Sequence, residues 1–280
     1  MLNPNGTRLE VWGDPVAHSR SPQLHSAAYR VLGLDWTYER RRVAEASFDA
    51  ELAGLSRDHR GLSLTMPLKG AAFQAAVACD RRAELTGAVN TLLLASHGPR
   101  GFNTDVGGIV LALQEEGVDA IDRARIVGAG ATAMSALVAL SELGAERVDV
   151  IARRAIAIAP LAELGESLGV HVTGVPFEAA AGTGAPVTIA TLPGDAPLDD
   201  SVADSLADGG GLLLDVVYGH WPTALALAWD RAGGRATSGL GMLLHQALLQ
   251  VRVFVTGDPD TALDHEDAVL AEMRLAVVGD

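Results

Sequence analysis

The chain of 280 residues contains one cysteine, Cys79. A single thiol excludes an intrachain disulfide and fits a reducing compartment, so a cytoplasmic protein is expected. Basic residues are scarce: 21 Lys and Arg face 35 Asp and Glu, for a formal net charge of −14. Such a surface repels a polyphosphate backbone and no basic run offsets it, so nucleic-acid binding is not expected. A small anion is still within reach of a few local cations. Long apolar runs are missing too, and the opening "MLNPNGTRLEVWGDP" has no basic start followed by an apolar stretch. Neither a membrane partner nor a leader is expected. The eight histidines are scattered without the H-x-x-x-H spacing of a metal site, so no metal is assigned. No repeat of fixed period is present.

What remains is an ordinary globular composition, 49% hydrophobic and 20% charged. The length suits two domains or one large α/β domain. "LEVWGDP" predicts a strand and "SPQLHSAAYRVLGL" a helix, with Ser21 as N-cap and Pro22 in the first turn. "WTYERRRV" and "GLSLTMP" predict further strands. "GAAFQAAVACD" predicts a helix that begins at or just after Lys69. From about Ile109 a second series follows, with "ARIVGAG", "RVDVIAR", "PVTIATLP" and "GLLLDVVY" as apolar strands of the kind buried in parallel sheets. The alternation of strands and helices is that of an α/β protein. "MLLHQALLQVRVFVTG" and "EDAVLAEMRLAVV" are amphipathic helices that pattern alone does not place.

"IVGAGATA" sets Gly128, Gly130 and Ala133 in a G-x-G-x-x-A order between a strand and a helix. The first glycine permits a tight turn, the second lets the backbone approach a pyrophosphate, and the alanine keeps helix and strand close. About 20 residues further on, where a carboxylate would hold the ribose hydroxyls of NAD, this chain has Arg153 and Arg154. A guanidinium grips a 2′-phosphate, so NADP is favoured over NAD, against the plainer reading of a solvated strand end.

Three polar clusters lie outside this unit: "HSRSP" with Ser19 and Ser21, "TMPLK" with Thr65 and Lys69, and "GFNTDVGG" with Asn103 and Asp105. Singly, each reads as a cap, a turn or a surface charge. Together, "HSRSPQLH", "SLTMPLK", "GAVNT", "GFNTDVGG", "VGAGATA", "IARR", "IATLPG", "DVVY" and "GLGMLLHQ" follow one another as in the shikimate dehydrogenase family, which the chain resembles over nearly its whole length.

The resemblance implies an N-terminal α/β substrate domain over residues 1–106, completed by 243–280, and a Rossmann-like NADP-binding domain over 107–242. The C-terminal helices would return to the first domain. It implies Lys69 and Asp105 as the catalytic pair and Ser19 and Ser21 as carboxylate ligands. Thr65, Asn90, Asp105 and Gln246 would hold ring hydroxyls, with Tyr218 near the substrate. Gly128, Gly130, Ala131, Arg153, Arg154 and Thr191 would line the NADP side, with Gly241 and Met242 beside the nicotinamide. The implied activity is NADP-dependent oxidation and reduction at the shikimate step of aromatic amino-acid biosynthesis. Its partners would be small molecules only, and the protein a monomer or homodimer. A paralogue acting on quinate or an amino analogue shares every motif, and a silent NADP-binding regulator on the same scaffold is the alternative of another class. Intact Lys69 and Asp105 speak against the latter.

Two departures stand out. The family's usual Asn-Val-Thr is Ser63-Leu64-Thr65 here, so an amide contact is expected to be lost or replaced by a hydroxyl. Its Asn-Arg-Thr after the second Rossmann strand is Ala152-Arg153-Arg154, which adds a charge where a phosphate is expected.

Overall fold

The computed structural model describes residues 6–179, 184–194, 196, 198–219 and 221–278. The chain divides into two compact units, Met1–Gly108 with Leu244–Asp280, and Ile109–Leu243.

The first unit carries strands β1 (Thr7–Gly13), β2 (Trp36–Arg42), β3 (His59–Leu64), β4 (Ala78–Cys79), β5 (Thr91–Ala95) and β6 (Gly98–Phe102) in one sheet of order β2-β1-β3-β5-β6-β4. Its helices are α1 (Ser21–Val31), α2 (Phe48–Ala53), α3 (Lys69–Ala75), α4 (Arg81–Thr86) and the start of α5 (Thr104–Glu115). β1, β2 and β3 run parallel, as the alternation of strands and helices predicts. β5 is antiparallel to both β3 and β6, which makes the sheet mixed. The helix expected through "VACD" stops at Ala75, because Ala78 and Cys79 pair with Arg100 and Gly101. β2 is an edge strand of mostly charged residues, a composition that discourages pairing with another sheet.

The core of this unit gathers Trp12, Val43, Phe48, Leu62, Leu64, Leu68, Val89 and Leu92, all buried. Trp12 and Phe48 meet edge to face at 5.9 Å between centroids. Each fully buried side chain of this size contributes roughly 1.5–3 kcal/mol by leaving water. Gly61 has a packing reason: a Cβ there would lie 2.7 Å from the Leu92 carbonyl oxygen and run into the Phe254 ring. Phe254 belongs to α10 (Leu240–Thr256), so the glycine lets that helix lie close on β3. After α10 comes α11 (Glu266–Val278), which packs on α1, and the Arg20 guanidinium donates to the Val277 carbonyl at 2.7 Å. A fork of Arg252 onto Glu266, at 2.7 and 2.5 Å, joins the two C-terminal helices. The helices that pattern left unplaced therefore complete the first unit, as the resemblance implies.

The second unit holds β7 (Arg123–Val127), β8 (Arg147–Ile151), β9 (His171–Val175), β10 (Val187–Ala190), β11 (Leu212–Asp215) and β12 (Arg235–Ser238). Their order is β12-β11-β10-β7-β8-β9, and every pairing is parallel. This is the doubly wound Rossmann order, whose switch point lies between β7 and β10. Helices α6 (Ala131–Glu142), α7 (Ala159–Leu168), α8 (Asp200–Ala207) and α9 (Ala224–Arg231) connect the strands. β10 and β11 are buried at every residue, because helices cover both faces. Val127, Ile151, Leu206, Leu213 and Trp229 form the core at this end of the sheet.

Candidate active site

Lys69 opens α3, just after the turn that follows β3 and contains Pro67. The Leu68 amide bonds the Thr65 carbonyl at 2.8 Å, and the Val89 amide bonds the Lys69 carbonyl at 3.0 Å. The lysine backbone is thus held from both sides. Its Nζ lies 2.5 Å from Asp105 Oδ2, with Asp105 buried and Lys69 partly open to solvent.

Asp105 sits in the first turn of α5, where a helix dipole favours a negative charge. Its Oδ1 accepts from Asn90 Nδ2 at 2.8 Å, and its amide donates to Asn103 Oδ1 at 3.1 Å. Asn90 is almost wholly buried and connects several groups. Its Oδ1 accepts from the Thr104 amide at 2.9 Å and from the Thr91 hydroxyl at 2.8 Å. The Asn90 backbone ties the ends of β3 and β6 together, through Leu64 N to Asn90 O at 2.7 Å and Asn90 N to Phe102 O at 3.0 Å. Below this layer, Asp80 accepts from the amides of Ala83 and Asn103 at 2.7 and 3.2 Å, and burial raises its pKa.

Ser19 and Ser21 form a second group. Ser19 Oγ donates to Ser21 Oγ at 3.1 Å and accepts from the Ser21 amide at 3.3 Å. Ser21 was expected to cap α1. It is instead the first helical residue, with Arg20 at the cap position, and the hydroxyl facing its amide is that of Ser19. Thr65 is half-buried just past β3, its amide bonded to the Trp12 carbonyl at 2.9 Å, and Gln246 is buried on α10.

In the second unit, Gly128 has φ +113°, a conformation that favours glycine. A Cβ there would strike Thr191 Oγ1, so these two residues meet at the ends of β7 and β10, at the switch point. Gly130 is the N-cap of α6, and a Cβ there would meet nothing within 4 Å. Ala131 opens the helix and Ala133 is buried against the sheet. A glycine at the cap leaves the first amides of a twelve-residue helix without a side-chain partner, an arrangement suited to a phosphate. Arg153 and Arg154 follow β8 and are exposed. Arg153 borders a cavity of ≈ 180 Å³ lined also by Phe177, Leu192, Leu198, Val202 and the carboxylate-bearing Asp199, a slot of mixed character with a cation at its border. The residues present therefore fit a dinucleotide with an extra phosphate. Gly241 lies near the start of α10, where a Cβ would touch Ala112, and Met242 is buried. Tyr218 is half-buried after β11. Among the described residues, no group of three or more His, Cys, Asp or Glu is placed to hold a metal ion.

Several contributors to the site carry no signal in the sequence. Only the fold shows that Asp80 accepts from the Asn103 amide, that Thr86 Oγ1 accepts from Asn103 Nδ2 at 2.8 Å, and that the Thr104 amide donates to Asn90 Oδ1. The hydroxyl of Ser63 is engaged by Tyr38 and Gln250, residues 25 and 187 positions away, and no local signal announces such contacts.

Residues 11–92 match the family model described as the shikimate dehydrogenase substrate binding domain. A shikimate dehydrogenase (NADP(+)) of an Anaeromyxobacter species is 38% identical over 250 residues, 85% of this chain and 87% of that one. The enzyme of the same name from Methanothermobacter thermautotrophicus is 33% identical over 257 residues, 89% and 91% of the two chains. Among solved structures, the shikimate dehydrogenase of Mycobacterium tuberculosis matches with a TM-score of 0.84 and 42% identity, over 95% of this chain and 98% of that one. Shikimate 5-dehydrogenase from Thermus thermophilus, solved in complex with NADP(H) and shikimate, matches with a TM-score of 0.79 and 30% identity, over 97% and 100%.

Proposed function

The chain belongs to the shikimate dehydrogenase family, and we propose that it catalyses the reversible NADPH-dependent reduction of 3-dehydroshikimate to shikimate, a step of chorismate and aromatic amino-acid biosynthesis. The observation that carries the reading is the 2.5 Å pair of Lys69 and Asp105, anchored by Asn90. When bound, NADPH supplies the hydride. As the carbonyl carbon is reduced its oxygen becomes an alkoxide, and it needs a proton and a nearby positive charge. The Lys69 ammonium provides both. Asp105 keeps Nζ in place and accepts from an adjacent ring hydroxyl, and Asn90 fixes the carboxylate that does so.

Ser19 and Ser21 donate to the substrate carboxylate, while Thr65, Asn90 and Gln246 meet the ring hydroxyls. Tyr218 is assigned to the substrate, and Gly241 and Met242 to the nicotinamide, from the resemblance. On the cofactor side Gly128, Gly130, Ala131 and Thr191 line the pyrophosphate, and Arg153 with Arg154 takes the 2′-phosphate. Support for the phosphate assignment comes from the exposed Arg153 beside the Phe177–Leu192 cavity, with the exposed Arg154 next to it in sequence. In this reading the enzyme is cytoplasmic, acts as a monomer or homodimer, and has only small-molecule partners. No described helix is long and apolar enough to cross a membrane.

The test is NADP reduction followed at 340 nm with shikimate and then quinate. Turnover of shikimate well above quinate is expected, because the added quinate hydroxyl, buried without a partner, costs ~1–3 kcal/mol. Comparable rates with both acids would place the protein on a quinate-using branch. Absence of turnover with either would overturn the reading.

A further inference from the structure

Gln250 is buried on α10, and its side-chain amide meets β3, α1 and the residue just ahead of β5. Its Oε1 accepts from Ser63 Oγ on β3 at 2.8 Å and lies 3.2 Å from His25 Nε2 on α1. Its Nε2 donates to the Asn90 carbonyl at 3.2 Å. Ser63 Oγ accepts from the Tyr38 hydroxyl of β2 at 2.5 Å, and the Tyr38 ring stacks on His25 with centroids 4.0 Å apart. Position 63 lacks the family's usual asparagine, and the amide beside that strand end is the one Gln250 brings from 187 residues further along the chain.

The role of each group follows from its chemistry. A carbonyl oxygen only accepts, so the nitrogen of the Gln250 amide faces Asn90 and its oxygen faces Ser63 and His25. Burial lowers the His25 pKa to about 3, so the imidazole is neutral with one N–H, and that proton sits on Nε2, against the Gln250 oxygen. Nδ1 then accepts from the Tyr29 hydroxyl at 3.0 Å. Ser63 takes the proton of Tyr38 and gives its own to Gln250. Each of these donors faces an acceptor, and a buried cluster satisfied in this way holds its elements in one register.

The members of the cluster adjoin the substrate ligands along the chain. Ser21 is one helical turn before His25 on α1, and Gln246 is one turn before Gln250 on α10, so each pair shares a helix face. Thr65 follows Ser63 by two residues at the end of β3, and Asn90 is itself a partner. We propose that Gln250 is a positioning residue for the substrate pocket: its amide, bonded to Ser63, His25 and Asn90, fixes where the helices bearing Ser21 and Gln246 stand relative to the strand ends bearing Thr65 and Asn90. The four ligands are then in place before substrate arrives, and none of the binding energy is spent on ordering them. The Lys69–Asp105 pair does not depend on this amide. Asn90 Nδ2 holds Asp105, and the Asn90 backbone stays bonded to Leu64 and Phe102 without Gln250. The proposal rests on Ser21, Thr65, Asn90 and Gln246 being the substrate ligands.

The test measures kcat and KM for shikimate, the NADP dissociation constant and the melting temperature of wild type, Gln250→Met and Ser63→Ala. Methionine keeps the length of the side chain and removes both polar ends. Well below its melting transition, KM of Gln250→Met for shikimate should rise about 5- to 30-fold, the worth of one to two hydrogen bonds, with kcat within about twofold of wild type and NADP binding unchanged. Ser63→Ala removes one donor from Oε1 and should raise KM about 3- to 10-fold in the same pattern. It decides the matter alone if Gln250→Met does not fold. A lower melting temperature with an unchanged KM makes the amide a stabiliser of the fold only and overturns the proposal, as does a fall in kcat that matches the rise in KM. Either result leaves the enzyme assignment intact. A wild-type protein inactive with shikimate overturns the assignment, and the proposal with it.

Discussion

Lys69 Nζ and Asp105 Oδ2 stand 2.5 Å apart although 36 residues separate them in the chain. One group is held at the start of α3 and the other in the first turn of α5, so two helix beginnings aim an acid and a base at one point. If this pair handles the proton, Lys69→Ala should lower kcat by ~10²–10⁴-fold and leave NADP binding almost unchanged. Steady-state kinetics together with cofactor titration by fluorescence checks both halves. Asp105→Asn should lower kcat and raise KM together; a change in KM alone would make Asp105 a binding residue.

Asn90→Ala should uncouple this site from its support. The variant leaves Asp105 Oδ1, the Thr104 amide and the Thr91 hydroxyl without their partner. Unsatisfied buried groups of this kind cost ~1–3 kcal/mol each. Urea denaturation should show a loss of roughly 2–4 kcal/mol, with partial compensation among neighbours.

Arg153→Ala should weaken NADP about 10- to 100-fold and barely alter NAD, because a guanidinium–phosphate bond is charge-assisted. Equal losses for the two cofactors, measured by calorimetry, would show that Arg153 does not read the 2′-phosphate and would pass the role to Arg154.

Gly128→Ala should harm fold and cofactor together. The residue has φ +113°, and the new methyl group would strike Thr191 Oγ1. Strain of this kind costs ~1–3 kcal/mol, so a lower melting temperature should accompany the loss of NADP affinity. A variant that binds NADP normally would show that the turn does not need glycine.

His25 makes stability depend on pH. Its folded pKa, about 3, lies below the model-peptide 6.5, so the unfolded chain binds the proton more tightly. Stability from this group is complete above about 6.5 and falls as pH drops toward the folded value. Between pH 7 and pH 4.5 it should account for about 2 kcal/mol of the decline. Guanidinium unfolding of wild type and His25→Gln at both pH values should show a shallower decline in the variant.

What the sequence determined by itself was local chemistry. The turn "VGAGATA" is legible because a positive φ and the lack of a Cβ are demands a residue meets alone, and the apolar strands around it state that both faces are covered. "WTYERRRV" is legible as a strand, but its place at the sheet edge comes from the strand order. The tertiary structure decided the meetings. β5 and β6 pair antiparallel through the two-residue turn Ser96-His97, too brief to stand out beside the motifs, and that pairing sets Asn90 against Asp105. Ser21 has the side chain of a cap, but the backbone starts α1 at Ser21 itself, with Arg20 in the cap position and no side chain capping the helix. In the sequence Tyr38 is one residue of a predicted strand, Ser63 a departure from the family pattern, and Gln250 one polar residue among several on an amphipathic helix that pattern does not place. Their hydrogen bonds depend on β1 aligning β2 with β3 and on α10 settling over Gly61, and such long-range pairings leave no trace in the order of neighbouring residues.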